Sequence, residues 1–201
     1  MHKERGNIPI VIMRIAGVYD DFCNSIPLSN QLQRIYEKQL ESHVFPGDIT
    51  HGSSFVHLDD LVEALWKAVE KRKELPAESV FLIGEPVTYS YDFLQKDMGK
   101  LLWGKEWKTW KIPKIIAKIG AWLQDKLPFM PESFIKPWMI DIADDHYELD
   151  ISHAKSVLRW EPKHTVTDTI PKWVEEIKRD PLTWYDKNKL RRPKGGFPKL
   201  P

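Results

Sequence analysis

The residue types best suited to chemistry in this sequence lie around position 57. His57, Asp59 and Asp60 directly follow the apolar pair Phe55-Val56. An imidazole titrates near neutral pH, so His57 could act as a general acid or base beside these carboxylates. The alternative, which we favour, is that His57 hydrogen-bonds the backbone at the junction of a buried strand and a helix. We therefore predict a structural role for this segment.

A helix is predicted immediately after this junction. Asp60 and Glu63 have the spacing of a capping box, in which Asp60 is the N-cap and Glu63 is the third helical residue. The apolar residues that follow recur at helical spacing and form one stripe. The members of that stripe are Leu58, Leu61, Val62, Leu65 and Val69.

Two other apolar runs indicate strands of a parallel sheet. Residues 9–16 form a nearly continuous apolar run, which is typical of a strand buried on both faces, and residues 79–84 form a second buried strand. The chain reads strand, helix, strand, helix, strand and then several helices. This order predicts an α/β fold, the later part of a sheet followed by a smaller helical domain.

The domain limits follow from the same patterns. We place the α/β domain at 1–90, the mostly helical domain at 91–185 and a basic flexible tail at 186–201. No helix is predicted before the strand at 9–16, so the sheet is expected to be truncated on that side. An unpaired apolar strand edge favours self-association of the chain.

Composition excludes several classes of protein. The 201 residues are 42% hydrophobic and 29% charged, as in globular proteins. Thirty Lys and Arg against 29 Asp and Glu give no overall field that would attract nucleic acid. Cys23 is the only cysteine, which excludes a disulfide scaffold and predicts a reducing, cytoplasmic setting. No apolar run approaches the ~20 residues that a transmembrane helix needs.

Tryptophan is concentrated in one part of the chain. Nine are present, and positions 103–138 contain five of them. We favour a core or interface built from large aromatic side chains, and the alternative is a stacking platform for a ring-shaped ligand. The lysine-flanked helix predicted at 113–127 would close a pocket or, alternatively, lie on a membrane surface. The acidic segment 141–150 matches no metal-binding spacing and is predicted to be a solvated face.

Four segments in a fixed order carry a resemblance to a known family. They are Ile12–Tyr19, Phe55–Val62, Phe81–Ser90 and Leu149–Pro162. Together they resemble the C-terminal half of an extended short-chain dehydrogenase/reductase of the NAD(P)-dependent epimerase/dehydratase type. The resemblance spans roughly residues 8–178 and implies a Rossmann-like, doubly wound sheet with a small helical substrate-binding domain.

The resemblance also implies roles for individual residues. The loop after the first strand would face the nicotinamide of NAD or NADP, and three other side chains would contact a small-molecule substrate. The cofactor-binding residues would be Ile15, Ala16, Gly17 and Val18, and the substrate-binding residues would be Tyr19, Ser53 and Trp107.

Departures from the family pattern limit these expectations. The family's glycine-rich turn and catalytic Tyr-x-x-x-Lys pair would precede residue 1, so this chain alone is not expected to catalyse hydride transfer. Gly17 stands where Asn is usual and Ser53 where Arg is usual. Loss of the guanidinium removes a phosphate ligand, which argues against a nucleotide-sugar substrate.

We therefore expect the substrate-side portion of an NAD(P)-dependent epimerase/dehydratase or oxidoreductase-like protein. The alternative is a non-catalytic binding or assembly module of the atypical short-chain dehydrogenase/reductase type. In that case Trp107, Trp110 and Trp138 would form an interaction surface.

Overall fold

Strands and helices alternate along the first half of the chain, and helices dominate the second. The computed structural model describes residues 9–126, 137–143 and 145–199. Its strands are β1 (Ile10–Ile15), β2 (Gly17–Tyr19), β3 (Val44–Pro46), β4 (Gly52–Ser53), β5 (Phe55–His57), β6 (Glu78–Ile83), β7 (Tyr89–Ser90) and β8 (Trp110–Ile112). Its helices are α1 (Ile26–Tyr36), α2 (Leu58–Glu70), α3 (Tyr91–Trp103), α4 (Lys114–Lys126), α5 (Pro137–Asp141), α6 (Val166–Arg179) and α7 (Pro181–Lys187). A 3-10 turn at Leu40–His43 and a π-helical turn at Ala154–Leu158 complete the structure.

Parallel pairing dominates the strands. β1 pairs with β6, with Ile10 opposite Glu78 and Ile15 opposite Ile83. β2 pairs with β5 and β3 with β8, both in parallel, whereas β4 and β7 are antiparallel. Parallel neighbours need a crossover connection, and α1, α2 and α3 lie in these connections. The predicted α/β class is confirmed.

The β1–β6 pair is covered on one face only. Met13 and Phe81, which are opposite each other, lie in a core cluster with Ala64 of α2. On the other face, the opposite residues Ile12 and Val80 are both exposed. The prediction of a strand buried on both faces is therefore wrong for this chain, because no helix in the described part of the chain covers the second face.

The start of α2 corrects the predicted cap. The helix begins at Leu58, and the N-cap is His57, whose Nδ1 accepts a hydrogen bond from Asp59 N at 3.2 Å. The backbone role predicted for His57 is thus confirmed, and the capping role predicted for Asp60 is wrong. Asp60 turns inward instead, because backbone donors much later in the chain bind its carboxylate.

A second core joins the helices on the other side of the molecule. It is formed by Leu32 and Ile35 of α1, Met98 of α3 and Trp173 of α6. Thr165 caps α6 by accepting a hydrogen bond from Asp168 N. Ser90 caps α3 in the same way through Phe93 N, which is the start that the sequence predicts for this helix.

Part of the C-terminal segment packs on the helical core. Trp184 and Tyr185 of α7 are buried, and Leu190 and Phe197, within the tail predicted at 186–201, pack against the same cluster. The flexibility of that tail stays a prediction. Phe197 meets the Tyr185 ring edge-on, with ring centroids 5.0 Å apart. Apolar residues spaced among the basic ones explain this packing, because each can be buried while the charges stay in water.

The region after α4 is described only in part. The helix predicted at 132–146 falls partly outside the described residues, and Pro137–Asp141 is the helical portion within them. Among the helices of the described ranges, none combines the length and apolar character needed to cross a membrane.

Candidate functional site

The carboxyl ends of β1 and β6 lie side by side and form a candidate binding crevice. Ile15 is opposite Ile83, and Ala16 N donates a hydrogen bond to Ile83 O at 2.9 Å. The next residue, Gly17, donates its N–H to Ser54 O at 3.2 Å. Open α/β sheets bind ligands outside the carboxyl ends of their parallel strands. The loop after β1 therefore lies at the edge where a ligand is expected.

Two glycines at these strand ends have no room for a side chain. A Cβ atom at Gly84 would lie 2.7 Å from Leu149 Cδ1 and 3.1 Å from Ala16 Cβ. A Cβ at Gly17 would lie 2.9 Å from Phe55 Cδ1. Both distances are shorter than real Cβ contacts, so neither position has room for a side chain without rearrangement.

The predicted cofactor residues are accessible to different extents. Ile15 and Gly17 are exposed, while Ala16 and Val18 are half-buried. All four belong to the strand end and loop at the crevice, so the structure brings them together. Their contact with a nicotinamide stays a prediction.

The predicted substrate residues do not form one site. Ser53 is exposed and lies opposite Tyr89 in the β4–β7 pair. Tyr19 is 1% exposed and lies edge-on to the rings of His57 and Trp173. Trp107 is 3% exposed. The substrate roles of Tyr19 and Trp107 are therefore corrected to roles in the core, because neither side chain has surface left for a ligand.

Trp107 is held by specific partners. Its Nε1 donates a hydrogen bond to Ser42 Oγ at 3.0 Å, and its ring stacks on His43 with centroids 4.6 Å apart. Gly99 of α3 makes room for it, since a Cβ there would lie 2.5 Å from Trp107 Cβ. The tryptophan thus joins the 3-10 turn to α3.

A buried carboxylate connects α2 to the segment before α6. Asp60 is 1% exposed, and its Oδ2 accepts hydrogen bonds from Lys163 N at 3.0 Å and His164 N at 2.9 Å. Its Oδ1 accepts from His164 Nδ1 at 3.1 Å, and its backbone oxygen accepts from Trp160 Nε1 at 2.9 Å. A carboxylate satisfied in this way fixes two chain segments together.

Two imidazole rings stack above this carboxylate. The rings of His57 and His164 are stacked with centroids 4.2 Å apart. Each Nδ1 is already engaged, that of His57 as acceptor from Asp59 N and that of His164 with Asp60. His57 Nε2 is buried without a hydrogen-bond partner and lies 3.6 Å from Asp21 Oδ1.

The same residues form the candidate metal-ligand group of the described part of the chain. Potential ligand atoms of His57, Asp59 and His164 all lie within 4.8 Å of one another. Stacked rings direct their ring nitrogens side by side rather than towards one point, and the Nδ1 atoms already have partners. The geometry therefore fits a structural junction better than a metal centre.

Sequence patterns did not single out Glu85, an acid near the crevice whose pKa is strongly shifted. Glu85 is 1% exposed, and its Oε2 accepts a hydrogen bond from Val166 N at 3.1 Å, while Oε1 has no partner. Burial raises the pKa of Glu85 to about 7, opposed by the Val166 N–H and by Tyr19. The sequence signal that could have identified Glu85 is its position just after the carboxyl end of the buried strand β6.

Tyr19 is electrostatically coupled to this acid. Burial, followed by the nearby Glu85, raises the pKa of the Tyr19 hydroxyl far above its ordinary value of 10. The Tyr19 hydroxyl therefore stays protonated at neutral pH.

Comparison with known proteins identifies the fold. No protein-family model and no curated protein sequence matches the chain. Solved structures of NAD-dependent epimerases and dehydratases are similar. UDP-glucose 4-epimerase from Thermotoga maritima, with UDP-glucose bound, is 19% identical with a TM-score of 0.54, over 84% of this chain and 46% of that one.

Two other structures give the same result. UDP-glucuronic acid 4-epimerase from Bacillus cereus, in complex with UDP-glucuronic acid and NAD, is 22% identical with a TM-score of 0.56, over 88% of this chain and 47% of that one. dTDP-glucose 4,6-dehydratase from Bacillus anthracis, in complex with NAD, is 15% identical with a TM-score of 0.59, over 91% and 48%. The chain spans about half the length of these structures. At these identities the likeness shows the fold, and the predicted Rossmann-like fold is confirmed.

Proposed function

We propose that this chain is the substrate-side portion of an NAD(P)-dependent epimerase, dehydratase or oxidoreductase unit. The observation that carries the proposal is the accessible loop Ile15–Gly17 at the carboxyl ends of β1 and β6. Residues outside these 201 would supply the glycine-rich turn that binds pyrophosphate and the Tyr and Lys that transfer the proton.

The residues of this chain would bind and orient the cofactor. Ile15 presents an exposed apolar side chain at the crevice, which suits contact with a nicotinamide ring. Gly17 is exposed and has no side chain, so a flat ring could approach its backbone closely. The hydride chemistry would belong to the bound dinucleotide.

One Tyr-x-x-x-Lys spacing occurs in the described ranges, at Tyr185 and Lys189. The Tyr185 hydroxyl is buried in the helical core and donates to Glu37 Oε1 at 2.6 Å. A hydroxyl engaged in this way does not suit proton transfer to a substrate, which supports a non-catalytic role for the isolated chain.

The test is the dinucleotide content of the native protein. We expect the species purified from its native source to contain a further portion, in one polypeptide or as a complex, and to release NAD(H) or NADP(H) when denatured. Ile15→Asp in that species should lower dinucleotide retention, with Ile26→Asp, at another exposed isoleucine, as the matched control. A native species limited to this chain that binds no dinucleotide would contradict the proposal.

The substrate class rests on Ser53. This serine is exposed, and a hydroxyl cannot replace the charge of a guanidinium on a diphosphate. We therefore propose a substrate without a nucleotide diphosphate, unlike the ligands of the similar solved structures. Displacement of a bound substrate by UDP-glucose at comparable concentration would contradict this.

A second candidate function is binding without catalysis. It is favoured by the exposed Trp110 and Trp138, which offer large aromatic surface, whereas Trp107 is excluded by its burial. This candidate would be favoured over the first if the native species lacks a dinucleotide but carries a bound partner. Substitution of Trp110→Ser and Trp138→Ser should then release that partner.

A further inference from the structure

Helix α2 has an exposed apolar side, which we call the α2 flank. Its large side chains are each between 42% and 62% exposed. They are Leu58, Val62, Leu65, Trp66 and Val69. With about 3.6 residues per turn, these positions fall within an arc of about 100° on one side of the helix. A helix of a globular protein normally buries such a stripe, so a partner is expected on this side.

The α2 flank faces the β1 side of the β1–β6 pair. The opposite flank of α2 is occupied, because Lys71 Nζ donates to Val157 O at 2.6 Å in the π-helical turn. That turn also packs against β6. Ala64 lies on the underside of the helix, in the core cluster with Phe81 of β6. One flank of α2 thus contacts the β6 side, which leaves the α2 flank on the side of β1.

Strand β1 has an open edge on that same side. In the described ranges β1 pairs with β6 alone. A parallel strand added at this edge, ahead of β1 in the fold, needs a crossover connection to β1, which is usually a helix. Crossovers are right-handed, so successive crossovers that advance in one direction across a sheet place their helices on the same face. The helix of the added strand would therefore lie beside α2, against the α2 flank.

We propose that the α2 flank is the docking surface for this crossover helix, which belongs to the further portion of the α/β unit. The inference rests on the proposed function, which calls for that portion. Crossover helices run antiparallel to their strands, so the partner helix would lie parallel to α2.

The side of the partner helix that meets α2 is expected to be apolar. Polar groups along the border of the α2 flank are already engaged. Trp66 Nε1 donates to Glu70 Oε1 at 2.9 Å, and Lys163 Nζ donates to Glu63 Oε2 at 2.6 Å. An apolar stripe with a satisfied polar border suits the apolar side of an amphipathic helix.

A second copy of this chain is a poorer occupant. Ile12 and Val80 are exposed on the other face of the β1–β6 pair. A doubly wound portion has helices for both faces of the sheet, whereas a second copy brings the same uncovered face. A twofold contact would also pair the two α2 helices antiparallel, which an experiment can tell from a parallel partner.

Thiol labelling tests the proposal. Leu65→Cys places a thiol on the α2 flank, and Leu182→Cys on α7 is the matched control, since these leucines are 46% and 47% exposed. Cys23 is buried and does not compete for the reagent. Each variant is labelled with a maleimide in the dilute 201-residue chain and in the native species. Labelling at position 65 should be about tenfold slower in the native species, because a packed helix excludes the reagent, and labelling at position 182 should not change.

A photoreactive benzophenone maleimide on the same thiol identifies the occupant. We expect the cross-link from position 65 to reach a helix of the further portion that follows one strand and leads into another. The inference is overturned, and the proposed function stands, if the native species releases dinucleotide yet labels position 65 as fast as the chain alone does. A cross-link to anything other than such a helix, including α2 of a second copy, also overturns it. A native species limited to this chain and without dinucleotide would overturn both.

Discussion

Asp60 holds His164 at two points, through its backbone N–H at 2.9 Å and its imidazole Nδ1 at 3.1 Å. One carboxylate therefore fixes both the course of the chain and the orientation of a side chain that stacks on His57. The pair joins the α/β part of the molecule to the segment that leads into α6.

Removing the Asp60 carboxylate should strongly destabilise the protein. Asp60→Ala leaves the N–H groups of Lys163 and His164 without the buried acceptor they now share, and we expect a loss of about 3 kcal/mol in the free energy of unfolding. Urea denaturation followed by circular dichroism measures it.

The control for this variant is the neighbouring acid. The Asp59 carboxylate is largely exposed, so Asp59→Ala should cost less than about 1 kcal/mol. Asp60→Asn should cost an intermediate amount of unfolding free energy, because its amide oxygen can still accept a hydrogen bond while its NH₂ group faces other donors. Equal effects at positions 59 and 60 would refute the structural role of Asp60.

Glu85 should make stability fall as the pH rises. Its pKa is about 7 in the folded protein against an ordinary 4.5, so the folded state keeps a proton that the unfolded chain releases. The resulting stabilisation is complete below about pH 4.5 and lost as the pH rises through about 7, by up to about 3 kcal/mol. Thermal unfolding measured across this pH range gives the slope of stability against pH.

Glu85→Gln should remove that slope. The amide resembles the protonated acid, and its oxygen can still accept from Val166 N. The variant should therefore equal the parent at low pH and exceed it in stability above pH 7. A variant whose unfolding temperature follows the parent's at every pH would show that Glu85 is not the responsible group.

Two glycines should respond oppositely to alanine. A Cβ at Gly52 would lie 1.9 Å from Tyr89 O, so Gly52→Ala must separate β4 from β7 and should cost about 2 kcal/mol. Gly120 in α4 has nothing within 4 Å, and Gly120→Ala should stabilise by up to about 1 kcal/mol through helix propensity. Denaturant midpoints measure both changes, provided that the dependence of the unfolding free energy on denaturant concentration is unchanged. Stability changes of the same sign in the two variants would contradict the prediction.

The uncovered face of the β1–β6 pair should promote self-association. Ile12 and Val80 are both exposed there, beside the unpaired edge of β1 in the described structure. Ile12→Lys should lower the apparent mass measured by light scattering, whereas Leu182→Lys, at an exposed site on α7, should leave it unchanged. A parent chain that stays monomeric at all concentrations would remove the basis of this prediction.

Local patterns predicted the elements well, because they depend on neighbours in sequence. The strand at β1 and the helix that Ser90 caps follow from apolar runs and capping chemistry. The cap at α2 was misassigned for a physical reason. Asp60 has the right spacing to Glu63, but donors 103 residues later bind its carboxylate more effectively.

The burial of individual residues was less predictable. The run at β1 is apolar on both faces, yet sequence cannot say that one face lacks a covering helix in this chain. Trp107 looked available to a ligand, but the space beside Gly99 receives it. Glu85 was missed because its raised pKa comes from burial in the folded chain, and its hydrogen-bond partner, Val166 N, lies 81 residues later.

The link between Asp60 and Lys163 also has a consequence for synthesis. On a ribosome that adds about 5–20 residues per second, the 103 positions between them take on the order of 5–20 seconds to appear. During this interval α2 has a carboxylate awaiting its donors and an apolar side awaiting Trp160. A nascent chain of this protein is therefore expected to need chaperone protection until the region of α6 emerges from the exit tunnel.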